Sequence, residues 1–130
     1  MKANMPENVQ DRAAFTYNAA ADFFDASPLS FWDYFGRRTI ELASLPIGSR
    51  VLDVCCGAGA SALPAAEAVG QTGAVIGVDL AKELLELARA KAIQRRLRNV
   101  EFDGIKTRDW KPHREHIADF EFDIAKPPLN

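Results

Sequence analysis

The run Val51-Leu52-Asp53-Val54-Cys55-Cys56-Gly57-Ala58-Gly59, answered 20 positions after Gly59 by Asp79, constrains this chain more than any other feature. Arg50 to Val54 is a short, β-rich apolar run and reads as a first strand. The small residues Cys56 to Ser61 follow as a tight loop. Ala62 to Val69 reads as a helix, with Pro64 in its first turn, where a missing N–H costs little. Gly70-Gln71-Thr72-Gly73 turns the chain, and Ala74 to Val78 is a second apolar strand ending at Asp79. Leu80 to Leu97 is the clearest helix, with Leu80, Leu84, Leu87, Ala88 and Ile93 along one stripe. Asn99 to Phe102 begins a third strand. Alternation of this kind predicts a parallel sheet with right-handed crossovers, an α/β Rossmann-like fold.

In such a sheet, ligands bind beyond the carboxyl ends of the strands. Gly57 and Gly59 supply the dihedrals of a sharp strand-to-helix turn and leave no Cβ in a ligand's way. The next helix aims its first N–H groups at the same crevice. Asp79, ending the second strand beside it, can accept both hydroxyl hydrogens of a ribose. Two ligand classes use this arrangement. A dinucleotide sets its pyrophosphate over the turn, whereas S-adenosylmethionine sets its positively charged amino-acid end there. Asp53 repels the first and attracts or orders the second, directly or through water. The segment Gly57 to Ala62 also satisfies the loose Gly-x-Gly-x-x-Ala pattern, so a nicotinamide- or flavin-binding domain stays open as an alternative. Asp53 and Asp79 each have a plainer reading as caps of the helices that follow them.

Ahead of this core, residues 1 to about 10 read as a polar leader, and Asp11 to Leu45 as an aromatic-rich helical stretch broken at Ser27-Pro28. In its second piece, Leu29 to Leu45, a partly buried face is expected through Phe31, Phe35, Ile40 and Leu42. Phe23, Phe24, Phe31, Trp32 and Phe35 read as core or lid packing. The expected organisation is a helical cap over residues 1–45, a β-α-β-α-β core over 46–102, and a charged tail over 103–130 with a possible fourth strand at 120–125.

Composition narrows the partners. The net charge of −2 gives no strong pull toward nucleic acid or an anionic membrane. Arg95, Arg96 and Arg98 read as solvated residues complementing a helix dipole. No apolar run approaches the roughly 20 residues that cross a bilayer. Cys55 and Cys56 are neighbours, which disfavours a disulfide between them and makes a poor zinc site. They read as small packed residues in a reduced, cytoplasmic setting. His113 and His116 read as exposed side chains, and no metal site is expected.

Val51 to Ser61 resembles motif I of class I S-adenosylmethionine-dependent methyltransferases, and Val75 to Leu80 resembles their second-strand acidic motif. The Asp-Val-Cys-Cys-Gly-x-Gly variant is similar to that of the ubiquinone/menaquinone methyltransferase branch. Tyr17-Asn18-x-x-Ala21-x-x-Phe24-Asp25 resembles the N-terminal cap helices of that group. The resemblance implies that Asp53, Gly57 and Gly59, with Cys55 and Ala58 of the same turn, shape the methionine end of a cofactor pocket. It implies that Asp79 holds the ribose, that Leu80 lies against the adenine and that Tyr17 closes over the cofactor. The activity implied is methyl transfer to a small-molecule acceptor, with no nucleic-acid partner. No residue is assigned as general base.

There are departures from the family pattern. Cys55 stands where the commonest motif has Gly, and Lys106 stands about where an adenine-contacting Asp belongs. The family fold has seven strands, of which this sequence reaches about the fourth. A truncated or frame-altered product is therefore expected, with an exposed sheet edge beside the first strand that invites a homodimer. The rival reading is a non-catalytic fragment or a binding module completed by a partner.

Overall fold

The computed structural model describes residues 5–24 and 31–105. Two helices, α1 (Val9–Phe24) and α2 (Phe31–Ala43), precede β1 (Arg50–Val54), α3 (Ala62–Val69), β2 (Ala74–Asp79), α4 (Lys82–Gln94) and β3 (Val100–Gly104). The three strands form one parallel sheet in the order β1-β2-β3.

Register explains where the core sits. Val51, Val75 and Val100 stand side by side, as do Asp53, Gly77 and Phe102 in the next row on the same face. Both α3 and α4 cover this face. Val75 and Phe102 pack there with Leu63, Ala65, Ala66, Val69, Leu85 and Ala88, and Val51 and Val100 lie against them. Truncating Leu63 or Leu85, both fully buried, to Ala costs about 2–5 kcal/mol. Gly77 is a packing requirement, because a Cβ there would stand 2.7 Å from the Phe102 ring and 2.9 Å from Cys56 Sγ. The opposite face is only lightly covered by described residues. Val78 is buried on it, Leu52 and Ile76 are half-buried, and Val54, Glu101 and Asp103 are exposed. Among the described residues, β1 is paired along one edge only.

The helix ends are closed by distant side chains. Asn99, just before β3, donates from Nδ2 to the carbonyls of Ala66 (2.9 Å) and Gly70 (2.8 Å), satisfying acceptors at the end of α3. Arg95 at the end of α4 and Arg37 of α2 both reach Glu67 of α3 at 3.3 Å, so Arg95 is an ion-pair partner as well as a dipole complement.

Several expectations are corrected. Helix α1 begins at Val9, inside the expected leader. Helix α4 runs from Lys82 to Gln94, not from Leu80 to Leu97. Its buried stripe is Leu84, Leu85, Ala88 and Ala92, continuing from buried Ala81, whereas Ile93 is exposed. The i, i+3, i+4, i+7 geometry selects Ala92, and one further step carries Ile93 out to solvent. On α2, Ile40 is half-buried, but Phe31, Phe35 and Leu42 are exposed, and so are Trp32 and Tyr34. The residue that α2 buries is Gly36, where a Cβ would land on the Ala60 carbonyl. Bare backbone is what lets this helix dock on the loop after β1. The third strand extends past Phe102 to Gly104. Ser27-Pro28, Asp25, Lys106, both histidines and the possible strand at 120–125 lie outside the described residues.

Candidate functional site

Period-two alternation places Asp53 and Asp79 on the same face of the sheet, at the carboxyl ends of adjacent strands. The chain leaves β1 through Cys55 in a left-handed conformation (φ +61°), then Gly57 (φ +52°) and Gly59 (φ +85°). Cys56 N–H still bonds the Val78 carbonyl at 3.1 Å, and Gly59 N–H closes back on the Cys56 carbonyl at 2.9 Å. This turn carries the chain from the sheet into α3.

Asp79 ties the turn down. Its Oδ2 accepts the Gly57 N–H at 2.8 Å, and its Oδ1 accepts the Ala81 N–H at 2.9 Å. The second bond holds Leu80 and Ala81 out of helix, which is why α4 starts at Lys82. Asp53 faces the first turn of α3, where the Ala62 N–H favours its charged form, while the N-cap Ser61 makes no side-chain cap bond. Its Oδ2 is buried and without a hydrogen-bond partner among the described residues. Burial pushes the Asp53 carboxyl above its ordinary pKa. The Ala62 N–H opposes that rise and the nearby Asp79 charge adds to it.

A cavity of about 460 Å³ opens here, between the strand ends and α1. Of the residues singled out by sequence, Tyr17, Asp53, Cys55, Gly57, Ala58, Asp79 and Leu80 all line it. Tyr17 is half-exposed on the α1 wall, its ring centroid 6.5 Å from that of Phe24. Gly59 lies outside this lining. It is buried behind the turn, where a Cβ would press Leu63 at 3.0 Å and Ala88 at 3.4 Å, so it seats the turn on α3 and α4. Gly57 meets no such obstacle, with only Leu84 Cδ1 at 3.8 Å from a would-be Cβ; its need is conformational.

The cysteines divide. Cys56 is buried, and burial, aided by the Asp53 and Asp79 charges, pushes its thiol up to about 12, so it stays protonated and packs. Cys55 is exposed and lines the cavity, contrary to a packed reading. Both are free thiols.

Sequence reasoning passed over part of the lining. Ala13 of α1, Asp33 of α2 and Lys91 of α4 belong to it, and Trp32, expected as core or lid packing, lines it as well. The described lining thus holds three carboxylates, Asp33, Asp53 and Asp79, against one ammonium, Lys91, whose Nζ stands 3.9 Å from Asp33. A lining that holds three acidic groups together with Tyr17, Phe24, Leu80 and Leu84 suits a cationic ligand with a flat apolar body. It does not suit a pyrophosphate. An unpartnered buried carboxylate oxygen beside the turn fits the ammonium end of S-adenosylmethionine. Among the described residues no cluster of His, Cys, Asp or Glu is arranged to hold a metal, and no helix is long and apolar enough to cross a membrane.

Comparison with known proteins agrees with this geometry. The family model that matches the chain, over residues 47–125, is that of a methyltransferase domain. An aklanonic acid methyltransferase of Streptomyces sp. (strain C5) is 39% identical over 84 residues, 65% of this chain and 38% of that protein. A demethylmenaquinone methyltransferase of Oceanobacillus iheyensis is 33% identical over 100 residues, 74% of this chain and 42% of that protein. A 23S rRNA methyltransferase of Acinetobacter baylyi is 38% identical over 89 residues, 68% of this chain and 19% of that protein. With an RNA-directed enzyme among its relatives, the chain's mild charge does not by itself rule out a nucleic-acid acceptor. Among solved structures, an S-adenosylmethionine-dependent methyltransferase from Aquifex aeolicus superposes with a TM-score of 0.57 at 26% identity, covering 68% of this chain and 47% of that one. The matched region spans less than half the length of each of these proteins.

Proposed function

This chain belongs to the methyltransferase-domain family, whose cofactor is S-adenosylmethionine, and from that membership we propose that the cavity beneath α1 binds the methyl donor and that the whole protein methylates a small-molecule acceptor. The observation that carries the reading is the Asp79 carboxylate bonded to Gly57 N–H at 2.8 Å beside the orphan Oδ2 of Asp53. On this reading Asp79 grips the ribose and Asp53 draws the cationic end, the two acids flanking one turn.

When bound, the donor supplies an electrophilic methyl group and its own neutral leaving group, so positioning and exclusion of water supply most of the rate. The residues of the chain divide that work. Asp53 would hold the ammonium end, its Oδ2 gaining the partner it lacks. Asp79 would accept the ribose hydroxyls on lone pairs not used by Gly57 and Ala81. Leu80 and Tyr17 would enclose the base and sugar. None of the described residues is given the role of general base. A cytoplasmic setting goes with the unpaired thiols at positions 55 and 56.

Transfer of a labelled methyl group tests the activity, using the full chain with phenol or quinol acceptors in one arm and RNA in the other. The reading expects label on the small molecule. Label on RNA would overturn the acceptor class. Donor binding with no transfer to any acceptor would leave a binding module.

A further inference from the structure

Helix α4 begins without a side chain of its own to cap it. Its N-cap is Ala81, which makes no side-chain cap bond, so the first N–H groups of the helix need partners from elsewhere. Asp79 takes the Ala81 N–H. The Glu83 N–H is taken by Asn18 of α1, whose Oδ1 accepts it at 3.1 Å across 65 residues of sequence. One helical step from this bond, Tyr17 lines the cavity, and Ala13 and Phe24 line it from the same helix. One turn further on, Ala21 is the residue that α1 buries, packed with Ala58 of the glycine turn and with Ala81 and Leu84 of α4. The rest of α1 is largely exposed, Tyr17 and Phe23 included. A wall of the cavity is therefore held to the core by one small buried side chain, the half-buried Phe24 packed on the same cluster, and one cap in trans. An element so lightly held has a docking equilibrium that a ligand touching it can shift.

We propose that Asn18 is a positioning residue for the methyl-donor site: by capping α4 it seats α1 over the cavity and so sets how tightly the donor is held. The inference rests on the donor reading above. Affinity is reduced in proportion to the fraction of molecules whose α1 is undocked, so loosening the cap weakens binding without touching a group that meets the ligand.

The test is calorimetric binding of S-adenosylhomocysteine to the full chain, wild type against Asn18→Ala and Asn18→Asp, with amide exchange followed over residues 9–24. Loss of a cap is expected to weaken binding about five- to tenfold in Asn18→Ala and to speed exchange in α1, while the strands stay protected. Asn18→Asp keeps an acceptor oxygen at a helix N-terminus and is expected to restore affinity. In a Tyr17→Ala background, Asn18→Ala is expected to cost less than in wild type, because the two act through one wall. Wild-type affinity in Asn18→Ala overturns the proposal, as does Asn18→Asp binding as weakly as Asn18→Ala. No binding by the wild type defeats the donor reading itself, and the proposal falls with it. Tight wild-type binding with an unaffected Asn18→Ala variant defeats the proposal alone.

Discussion

Replacing Asp79 with Ala removes an acceptor that serves the empty protein as well as its ligand. Two backbone donors lose their partner, Gly57 N–H at 2.8 Å and Ala81 N–H at 2.9 Å. Hydrogen bonds to a charged group stabilise by about 1.5–3 kcal/mol each, and the carboxylate is only partly buried, so the lower figure applies to both, giving about 3 kcal/mol. Ala81 is buried, which leaves its N–H poorly placed to find water instead. The ligand-free Asp79→Ala variant should therefore show a lower urea midpoint with an unchanged slope. Asp79→Asn keeps one acceptor oxygen and should lose about half as much. Donor affinity should fall in Asp79→Ala by a further factor of about ten or more, the cost of leaving ribose hydroxyls unpaired. A wild-type midpoint for ligand-free Asp79→Ala would refute the assignment of this carboxylate as the tie between the turn and α4.

Other substitutions probe the rest of the site. Cys55 sits at φ +61°, so Cys55→Gly should raise stability by about 0.5–1 kcal/mol, and Cys55→Val should lower it by at least about 1 kcal/mol, read from thermal melts. Gly36→Ala should destabilise by about 2 kcal/mol despite the better helix former, because its Cβ meets the Ala60 backbone; a more stable variant would contradict the docking of α2. Asp53 has a folded-state pKa raised above the usual 3.8, so the folded chain holds more protons than the unfolded one in the window above 3.8. Ligand-free stability should accordingly fall as pH rises through that window. Donor affinity should rise over the same range as Asp53 ionises. Asp53→Asn should flatten both trends, leaving the empty protein at least as stable at neutral pH and its donor binding weaker, as denaturation and calorimetry against pH will show.

The alternation of strands and helices was legible because each apolar run is short and punctuated. Arg50–Val54 and Ala62–Val69 have the expected limits, bounded by Gly48, the Cys56–Ser61 loop and Gly70. The start of α4 was not legible. Leu80 is apolar and in phase with the stripe, and only the Asp79 bond to Ala81 N–H shows that the chain is still extended there. The exposure of the α2 aromatics was also hidden, since composition records that Phe31 and Phe35 are apolar but not whether anything covers them. At the site, the acids and the turn were readable from spacing alone. Asn18 on Glu83 and Asn99 on Ala66 were not, because such caps join residues 65 and 33 positions apart and leave no local pattern. Gly36 did carry a signal, as an isolated glycine inside a helical stretch marks a close approach.

Calorimetric titration of the full chain with S-adenosylmethionine and, separately, with NAD at neutral pH addresses the central claim most directly. The acidic lining, with Asp53 Oδ2 unpartnered beside the turn, predicts saturable binding of the sulfonium nucleoside and none of the dinucleotide. Binding of NAD in preference to S-adenosylmethionine, or heat from neither, would contradict it.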